Sequence, residues 1–233
     1  MMVINKDYPC NPNNYSIQPD RKVEYIVVHY VGATGSALQN VKYFNRTTLN
    51  ASAHFFVGHE SEGGAIYQSV DPIHRAWHCG ATSYKHPHCR NSNSIGIELC
   101  CHKDPYGNWY FDDATINSAI KFIKELLAYY NLNVDNVLRH YDVTGKLCPA
   151  PLINDFSWLL FKSRLEESYM GEKTGDNPSS WAKEHTEWAK AKGIINGDGQ
   201  GNYDWQGITT REAMAAMLHN FAITYGFEKE EKY

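Results

Sequence analysis

Short apolar runs of strand length and longer amphipathic stretches of helical period alternate along the first two thirds of the chain. Residues 23–30 and 94–100 are dominated by apolar residues and are bounded by polar positions, which predicts two buried strands. Residues 53–57 and 65–68 are also largely apolar and lie on either side of Gly63-Gly64, a pattern typical of a β-hairpin. These runs are predicted to pair in one sheet.

Helical spacing marks three further segments, residues 36–45, 113–130 and 156–169. In the longest of them, isoleucine and leucine recur every three or four positions, and Asp112-Asp113 are placed to cap the first turn. Strands that alternate with helices predict an α/β domain with a mixed central sheet flanked by helices.

The composition changes at residues 171–178, a polar stretch with glycine, asparagine and proline that predicts a linker. It divides a domain at residues 1–170 from a small helical module at residues 179–233. Within this module, helices are predicted at 181–192 and 210–225. The second helix carries an apolar face made of Met214, Met217, Leu218 and Phe221. Two helices provide a marginal core, so we expect the module to pack on another surface.

Composition and charge exclude several classes of protein. The chain has 233 residues, 42% of them hydrophobic and 21% charged, as in ordinary globular proteins. A net charge of -4 with scattered basic residues argues against nucleic-acid binding, and no apolar stretch is long enough to span a membrane. Residues 1–14 do not have the pattern of a signal peptide. Six cysteines are too few for a disulfide scaffold, so mostly free thiols are expected.

Two histidines and a cysteine are candidate metal ligands. His29 lies near the end of a predicted buried strand, and His140 and Cys148 flank a turn-like segment. Zinc binds imidazole nitrogen and thiolate sulfur, and a catalytic zinc site has three protein ligands and one open position. A buried histidine is more commonly a core residue with satisfied hydrogen bonds, and spacing alone leaves both interpretations open.

Glu98 and Lys146 are candidate catalytic groups. Glu98 lies in an apolar strand, where an acid usually faces solvent. If it faces a cleft instead, burial would raise its pKa and suit it to act as a general base. Lys146 lies two positions before Cys148 and would bring a positive charge near a metal, although a solvated loop lysine is the more common situation.

Five motifs, taken in order, resemble N-acetylmuramoyl-L-alanine amidases of the amidase-2 type. This superfamily includes phage endolysins, bacterial autolysins and the peptidoglycan recognition proteins. The resemblance covers roughly residues 20–165, and five ordered motifs are far more specific than any one alone. The motifs are Val27-Val28-His29-Tyr30, Ser52-Ala53-His54-Phe55, Ala76-Trp77-His78-Cys79-Gly80, Asn93-Ser94-Ile95-Gly96-Ile97-Glu98, and Arg139-His140-Tyr141-Asp142 continued by Lys146-Leu147-Cys148-Pro149.

The resemblance implies that residues 1–170 form a zinc amidase domain. His29, His140 and Cys148 would hold Zn²⁺, Glu98 would be the general base, and Lys146 would stabilise the developing oxyanion. The substrate would be bacterial peptidoglycan, cleaved at the amide between N-acetylmuramic acid and L-alanine of the stem peptide. A peptidoglycan-binding protein without catalysis is the alternative, as is a structural zinc site with a fourth ligand.

Trp77, His78 and His54 are expected at the substrate groove. An aromatic face suits a sugar ring, although core packing is an equally common fate for a tryptophan such as Trp77. For His54, a supporting or packing role is favoured over metal ligation. One departure from the family pattern is Ala53, where some members have a catalytic tyrosine. Because that tyrosine is absent, more of the proton transfer would fall to Glu98.

The C-terminal module resembles a single S-layer-homology repeat, a class that binds secondary cell-wall polymers. Such repeats usually occur in threes, so anchoring by one repeat would need oligomerisation. The alternative is a helical module that only packs on the enzyme. Together these resemblances predict a protein that acts at the bacterial cell wall. Without a signal peptide, we expect it to be made in the cytoplasm and released by lysis or holin-type export.

Overall fold

A computed structural model describes residues 2–166, 182–197 and 211–227, together with single positions 178, 203, 205 and 209. The chain divides into two compact units, Met1–Ser168 and Tyr169–Tyr233. The predicted linker at 171–178 lies outside the described residues except for position 178, and so do Trp181, Thr210 and the end of the third predicted helix beyond residue 166.

The strands of the first unit are β1 Ile4–Asn5, β2 Tyr15–Ser16, β3 Tyr25–Tyr30, β4 Phe55–Val57, β5 Ile66–Gln68, β6 Arg75–Ala76, β7 Ser94–Leu99, β8 His102–Lys103, β9 Trp109–Tyr110 and β10 Val137–Arg139. Six of them form a mixed sheet with strand order β1-β5-β4-β7-β3-β10. The β4–β5 pair is antiparallel, which confirms the predicted hairpin, and the other neighbouring pairs are parallel. Two small antiparallel ribbons, β2–β6 and β8–β9, complete the strands.

The helices of the first unit are α1 Ala37–Arg46, α2 Asp113–Tyr130, α3 His140–Thr144 and α4 Asp155–Glu166. The long predicted helix is confirmed at both ends. It begins after Asp112, whose side chain accepts a hydrogen bond from the backbone of Thr115, and it ends at Asn131 in the left-handed conformation. Helix α1 has a capping box made by Ser36 and Gln39, which satisfies the first unpaired N–H groups.

The main core lies between α2, α4 and one face of the sheet. Side chains alternate across a strand, so Ile95, Ile97 and Leu99 of β7 project to this side and are fully buried against residues of α2 such as Ile123. Ser94, Gly96 and Glu98 occupy the alternate positions and face the other side. The same alternation in β3 directs Ile26 and Val28 into the core and His29 away from it. The period of the strands thus separates apolar from polar positions.

The second unit contains α5 Lys183–Ala191 and α6 Arg211–Thr224. Within it, the side-chain amide of Asn220 donates to the carbonyl oxygen of Ile194, and Trp188 stacks on Tyr225 with ring centroids 6.4 Å apart. Of the predicted apolar face, Met214, Leu218 and Phe221 remain exposed. Among the described residues, no helix has the length and apolar character that crossing a membrane requires.

Candidate metal centre and substrate groove

His29 and Glu98 lie side by side on neighbouring parallel strands. They are partners in the β3–β7 register, and both project from the face of the sheet opposite α2. Each lies near the carboxyl end of its strand, where parallel strands commonly present functional groups to a crevice. The strand period and the register together bring an imidazole and a carboxyl to one point.

His140 and Cys148 reach the same point from the next strand. Strand β10 pairs in parallel with β3, and α3 begins at His140 directly after β10 ends. The backbone N–H of Tyr141 donates to the carbonyl oxygen of Cys148 at 2.8 Å, which closes the intervening loop. Arg139 braces this segment, because its guanidinium is paired with Asp142 and donates to the carbonyl oxygens of Leu152 and Ile153.

The three candidate ligands form one buried cluster. The ligand atoms of His29, His140 and Cys148 all lie within 4.8 Å of one another. Nδ1 of His29 is 3.7 Å from Sγ of Cys148. Zinc–nitrogen and zinc–sulfur bonds of usual length at a tetrahedral angle place these two atoms roughly 3.5 Å apart. Nδ1 of His140 is buried and has no hydrogen-bond partner in the described part of the chain. The donor atoms of these three residues, the distances between them and the unpaired Nδ1 of His140 therefore fit a metal ion.

Burial dominates the electrostatics of this cluster. It lowers the pKa of His140 to about 4, with a further contribution from the Lys146 ammonium, and lowers the pKa of His29 well below its usual value. Burial also raises the pKa of the Cys148 thiol to about 12. Both histidines are therefore neutral at pH 7 and have a lone pair to offer. A thiolate at Cys148 requires a compensating cation, which a divalent metal would provide.

Glu98 is the acidic group beside the cluster. Burial raises the pKa of its carboxyl to about 8, and the nearby Lys146 ammonium offsets part of that rise. Its Oε2 atom is buried and accepts no hydrogen bond from any described residue. An unpaired buried carboxyl with a pKa near neutrality is suited to exchange protons with a bound substrate or water.

The cluster lines the floor of a cavity of about 250 Å³, which also has Tyr30 and Trp77 on its walls. An adjoining depression of about 710 Å³ extends outward. The two share Ala51, Trp77, His78, His140 and Lys146. The structure therefore brings Glu98, Lys146, Trp77 and His78 together around the candidate ligands.

His54 requires a correction. The sequence expectation assigned it to the substrate groove, but its ring is fully buried and lies on neither cavity wall. Its Nδ1 accepts the backbone N–H of Gly96 at 2.9 Å, and its Nε2 lies 3.1 Å from the carbonyl oxygen of His74 and 3.0 Å from the Arg21 guanidinium. His54 therefore supports the backbone of β7 beneath the His78 ring, whose centroid is 5.7 Å away, and does not line the groove.

The sequence interpretation assigned no role to three residues near the site. Ser94 and Asn91 hold His78 through its ring and its backbone, and Tyr30 lines the smaller cavity while packing edge-on against Trp109. The only sequence signal for Ser94 is its even spacing from Gly96 and Glu98 along one strand.

Comparison with known proteins identifies the family. A profile of the Amidase_2 family, described as N-acetylmuramoyl-L-alanine amidase, matches residues 19–151 and so includes all three candidate ligands. The chain belongs to the Amidase_2 family. N-acetylmuramoyl-L-alanine amidase CwlL of Bacillus licheniformis is 32% identical over 169 residues, covering 68% of this chain and 44% of the relative. A probable N-acetylmuramoyl-L-alanine amidase of the same species is 32% identical over 207 residues, covering 84% and 54%. The chain thus spans about half the length of the curated relatives it matches.

Solved structures of related domains agree with the architecture. The catalytic domain of XlyA is 29% identical, with a TM-score of 0.54, and the match covers 70% of this chain and 99% of that domain. PlyL is 23% identical with a TM-score of 0.58, covering 70% of this chain and 97% of PlyL, which supports the fold alone. The predicted α/β class with a mixed sheet is therefore confirmed.

Proposed function

We propose that this Amidase_2 chain hydrolyses the amide bond between N-acetylmuramic acid and L-alanine of the peptidoglycan stem peptide. The observation that carries the proposal is that the ligand cluster of His29, His140 and Cys148 and the unpaired Glu98 carboxyl line one open cavity. Family membership supports the choice of bond. The activity would be exerted at the bacterial cell wall.

His29, His140 and Cys148 are the proposed zinc ligands. When bound, zinc supplies Lewis-acid chemistry, since it makes water nucleophilic near neutral pH and polarises a carbonyl group. The protein's part is to present two neutral imidazoles and one thiol at a buried point that opens on the cavity. Three protein ligands leave a position for substrate, which is the arrangement of catalytic and not of structural sites.

Glu98 is proposed to move the proton. Its Oε2 would accept a proton from the attacking water and later deliver it to the departing alanine nitrogen. A raised pKa supports both halves of this exchange, because the group then gives and takes a proton near the working pH. In the ground state, no described residue competes for Oε2.

Lys146 is proposed to stabilise negative charge on the carbonyl oxygen of the substrate. It lies on the walls of both cavities, and its ammonium acts on the pKa values of both Glu98 and His140. A fixed cation beside a developing oxyanion lowers the barrier to acyl transfer.

Trp77 is proposed to contact a sugar ring of the substrate through the face of its indole, whose N–H donates to Oγ of Ser16.

No described residue of the site is assigned the role of the missing family tyrosine. Ala53 is buried in a small apolar cluster with Phe56 and Val41. Tyr30 contributes a hydroxyl-bearing ring to the cavity, yet burial raises the pKa of that phenol above its usual value. We propose that Glu98 alone performs the proton transfer.

Mass spectrometry of digested peptidoglycan tests the reaction. The full chain with zinc should release stem peptides with new alanine amino termini, and Glu98→Gln should release almost none. New reducing sugars would indicate a glycosidase instead. Binding to walls without any cleavage would favour a recognition protein that has lost catalysis.

For the second unit, we propose an S-layer-homology-like repeat at residues 179–233 that binds a secondary cell-wall polymer. The helices α5 and α6, which lie within the two predicted helical segments, support this interpretation. Because one repeat is a small binding unit, we propose that anchoring depends on self-association of the chain. Removal of residues 175–233 should weaken cosedimentation with walls, and wall binding should rise with the oligomer fraction. Unchanged sedimentation would favour a packing role.

A further inference from the structure

A series of side-chain hydrogen bonds runs from His29 to the backbone just before β7. Nε2 of His29 lies 3.0 Å from Nδ1 of His78. Nε2 of His78 lies 3.1 Å from Oγ of Ser94, and this hydroxyl donates to the carbonyl oxygen of Arg90 at 2.6 Å. Four residues are thus connected, and the first of them is a candidate metal ligand.

With both imidazole rings neutral, one arrangement of protons satisfies this series. The carbonyl oxygen of Arg90 can only accept, so it takes the single hydroxyl proton of Ser94. Oγ of Ser94 must then accept from Nε2–H of His78. A neutral imidazole carries one proton, so Nδ1 of His78 has a lone pair and accepts from Nε2–H of His29. Nδ1 of His29 is therefore left without a proton.

That unprotonated nitrogen faces the ligand cluster, 3.7 Å from Sγ of Cys148. We propose that His78 is a positioning residue, which holds His29 in the tautomer and orientation whose Nδ1 can bind the metal, and that Ser94 anchors His78 for this task. The inference rests on the zinc site of the proposed function. It gives His78 a second role besides lining the groove. A metal-bound histidine commonly donates its other N–H to such a partner, which also makes the ligating nitrogen more basic.

The protein holds the His78 ring from two further directions. Oδ1 of Asn91 accepts the backbone N–H of His78 at 3.1 Å and that of Cys79 at 2.8 Å, which fixes the main chain. Gly96 of β7 leaves room for the ring, because a Cβ atom at that position would collide with Cγ of His78. Gly96, which lies between Ser94 and Glu98 on the site face of β7, is thus the residue against which the His78 ring packs.

Nitrogen-15 NMR of the metal-free full chain tests the tautomers directly. Long-range proton–nitrogen correlations should show Nε2–H and a bare Nδ1 for His29, and the same form for His78. In His78→Ala, the His29 signals should shift toward a mixture of tautomers. A proton on Nδ1 of His29 in the unaltered chain would overturn the inference, and so would an unchanged His29 spectrum in the variant.

Zinc affinity, measured by competition with a chromophoric chelator, tests the consequence. His78→Ala should weaken Zn²⁺ binding about 10- to 100-fold. His78→Asn should retain most of the affinity, because its amide oxygen can accept where Nδ1 did. His88→Ala is the matched control, since this histidine is exposed and outside the series, and its affinity should not change.

Ser94→Ala retains all the histidine rings and should also weaken zinc binding. It therefore provides a second test if His78→Ala fails to fold. Undiminished affinity in folded His78→Ala or in Ser94→Ala would overturn the inference while the proposed function stands. Failure of the unaltered chain to bind zinc would overturn the proposed zinc site, and this inference with it.

Discussion

The strand pair β3–β7, with six residues in each strand, presents different chemistry on its two faces. One face packs Ile95, Ile97 and Leu99 against α2 and contributes apolar burial. The other face carries His29 and Glu98, and Oε2 of Glu98 is buried without a hydrogen-bond partner among the described residues. A buried polar group without a partner costs stability, and it is retained where a site needs it. Residues that stabilise the core and residues that form the site are therefore immediate neighbours along one strand.

Glu98→Gln should give the largest effect on the chemical face. Loss of the proton-transfer group should lower kcat/KM by about 10²- to 10⁴-fold on peptidoglycan fragments. The free energy of unfolding should hardly fall, because the amide is nearly isosteric and avoids a buried carboxylate. Activity assays and urea denaturation measure the two quantities. A variant with full activity would move the proton transfer to another group.

Ile97→Ala, one residue away on the core face, should give the opposite result. Ile97 is fully buried, so its truncation leaves a cavity and should reduce the free energy of unfolding by about 2–5 kcal/mol. The folded fraction should bind zinc with the affinity of the unaltered chain. A large loss of zinc affinity in folded Ile97→Ala would show that the two faces of the strand pair are not independent.

The free energy of unfolding should also depend on pH, with a smaller effect than either substitution and with a defined sign. Burial raises the pKa of Glu98 from its ordinary 4.5 to about 8 in the folded state. Between these values the folded, metal-free chain holds a proton that the unfolded chain has released. Its free energy of unfolding should therefore fall as pH rises through this window, by at least about 1 kcal/mol. Glu98→Gln should show a flatter profile in chelator-treated samples, and parallel profiles for the two chains would contradict the assignment.

The elements with strong periodicity could be predicted from sequence. Helix α2 begins and ends where the Asp112 cap and the apolar spacing place it. Strands β1 and β10, of two and three residues, were not predicted, because so short a run has no measurable period.

The site was predicted less completely than the fold. Ordered motifs pointed to His29, His140 and Cys148, which the structure brings together. His54 does not line the groove, since a motif does not specify whether a ring is exposed on the cavity wall or buried beneath it. The contact of His78 with Ser94 depends on a loop closure between residues sixteen positions apart, for which the sequence has no local signal.

Zinc dependence of bond cleavage tests the central claim most directly. The full chain, stripped of metal by a chelator, should be inactive on purified walls. It should regain release of peptides with alanine amino termini on addition of about one equivalent of Zn²⁺. Cys148→Ser should neither retain zinc nor recover. Cleavage of the same amide by zinc-free protein, or full zinc binding and activity in Cys148→Ser, would contradict the account.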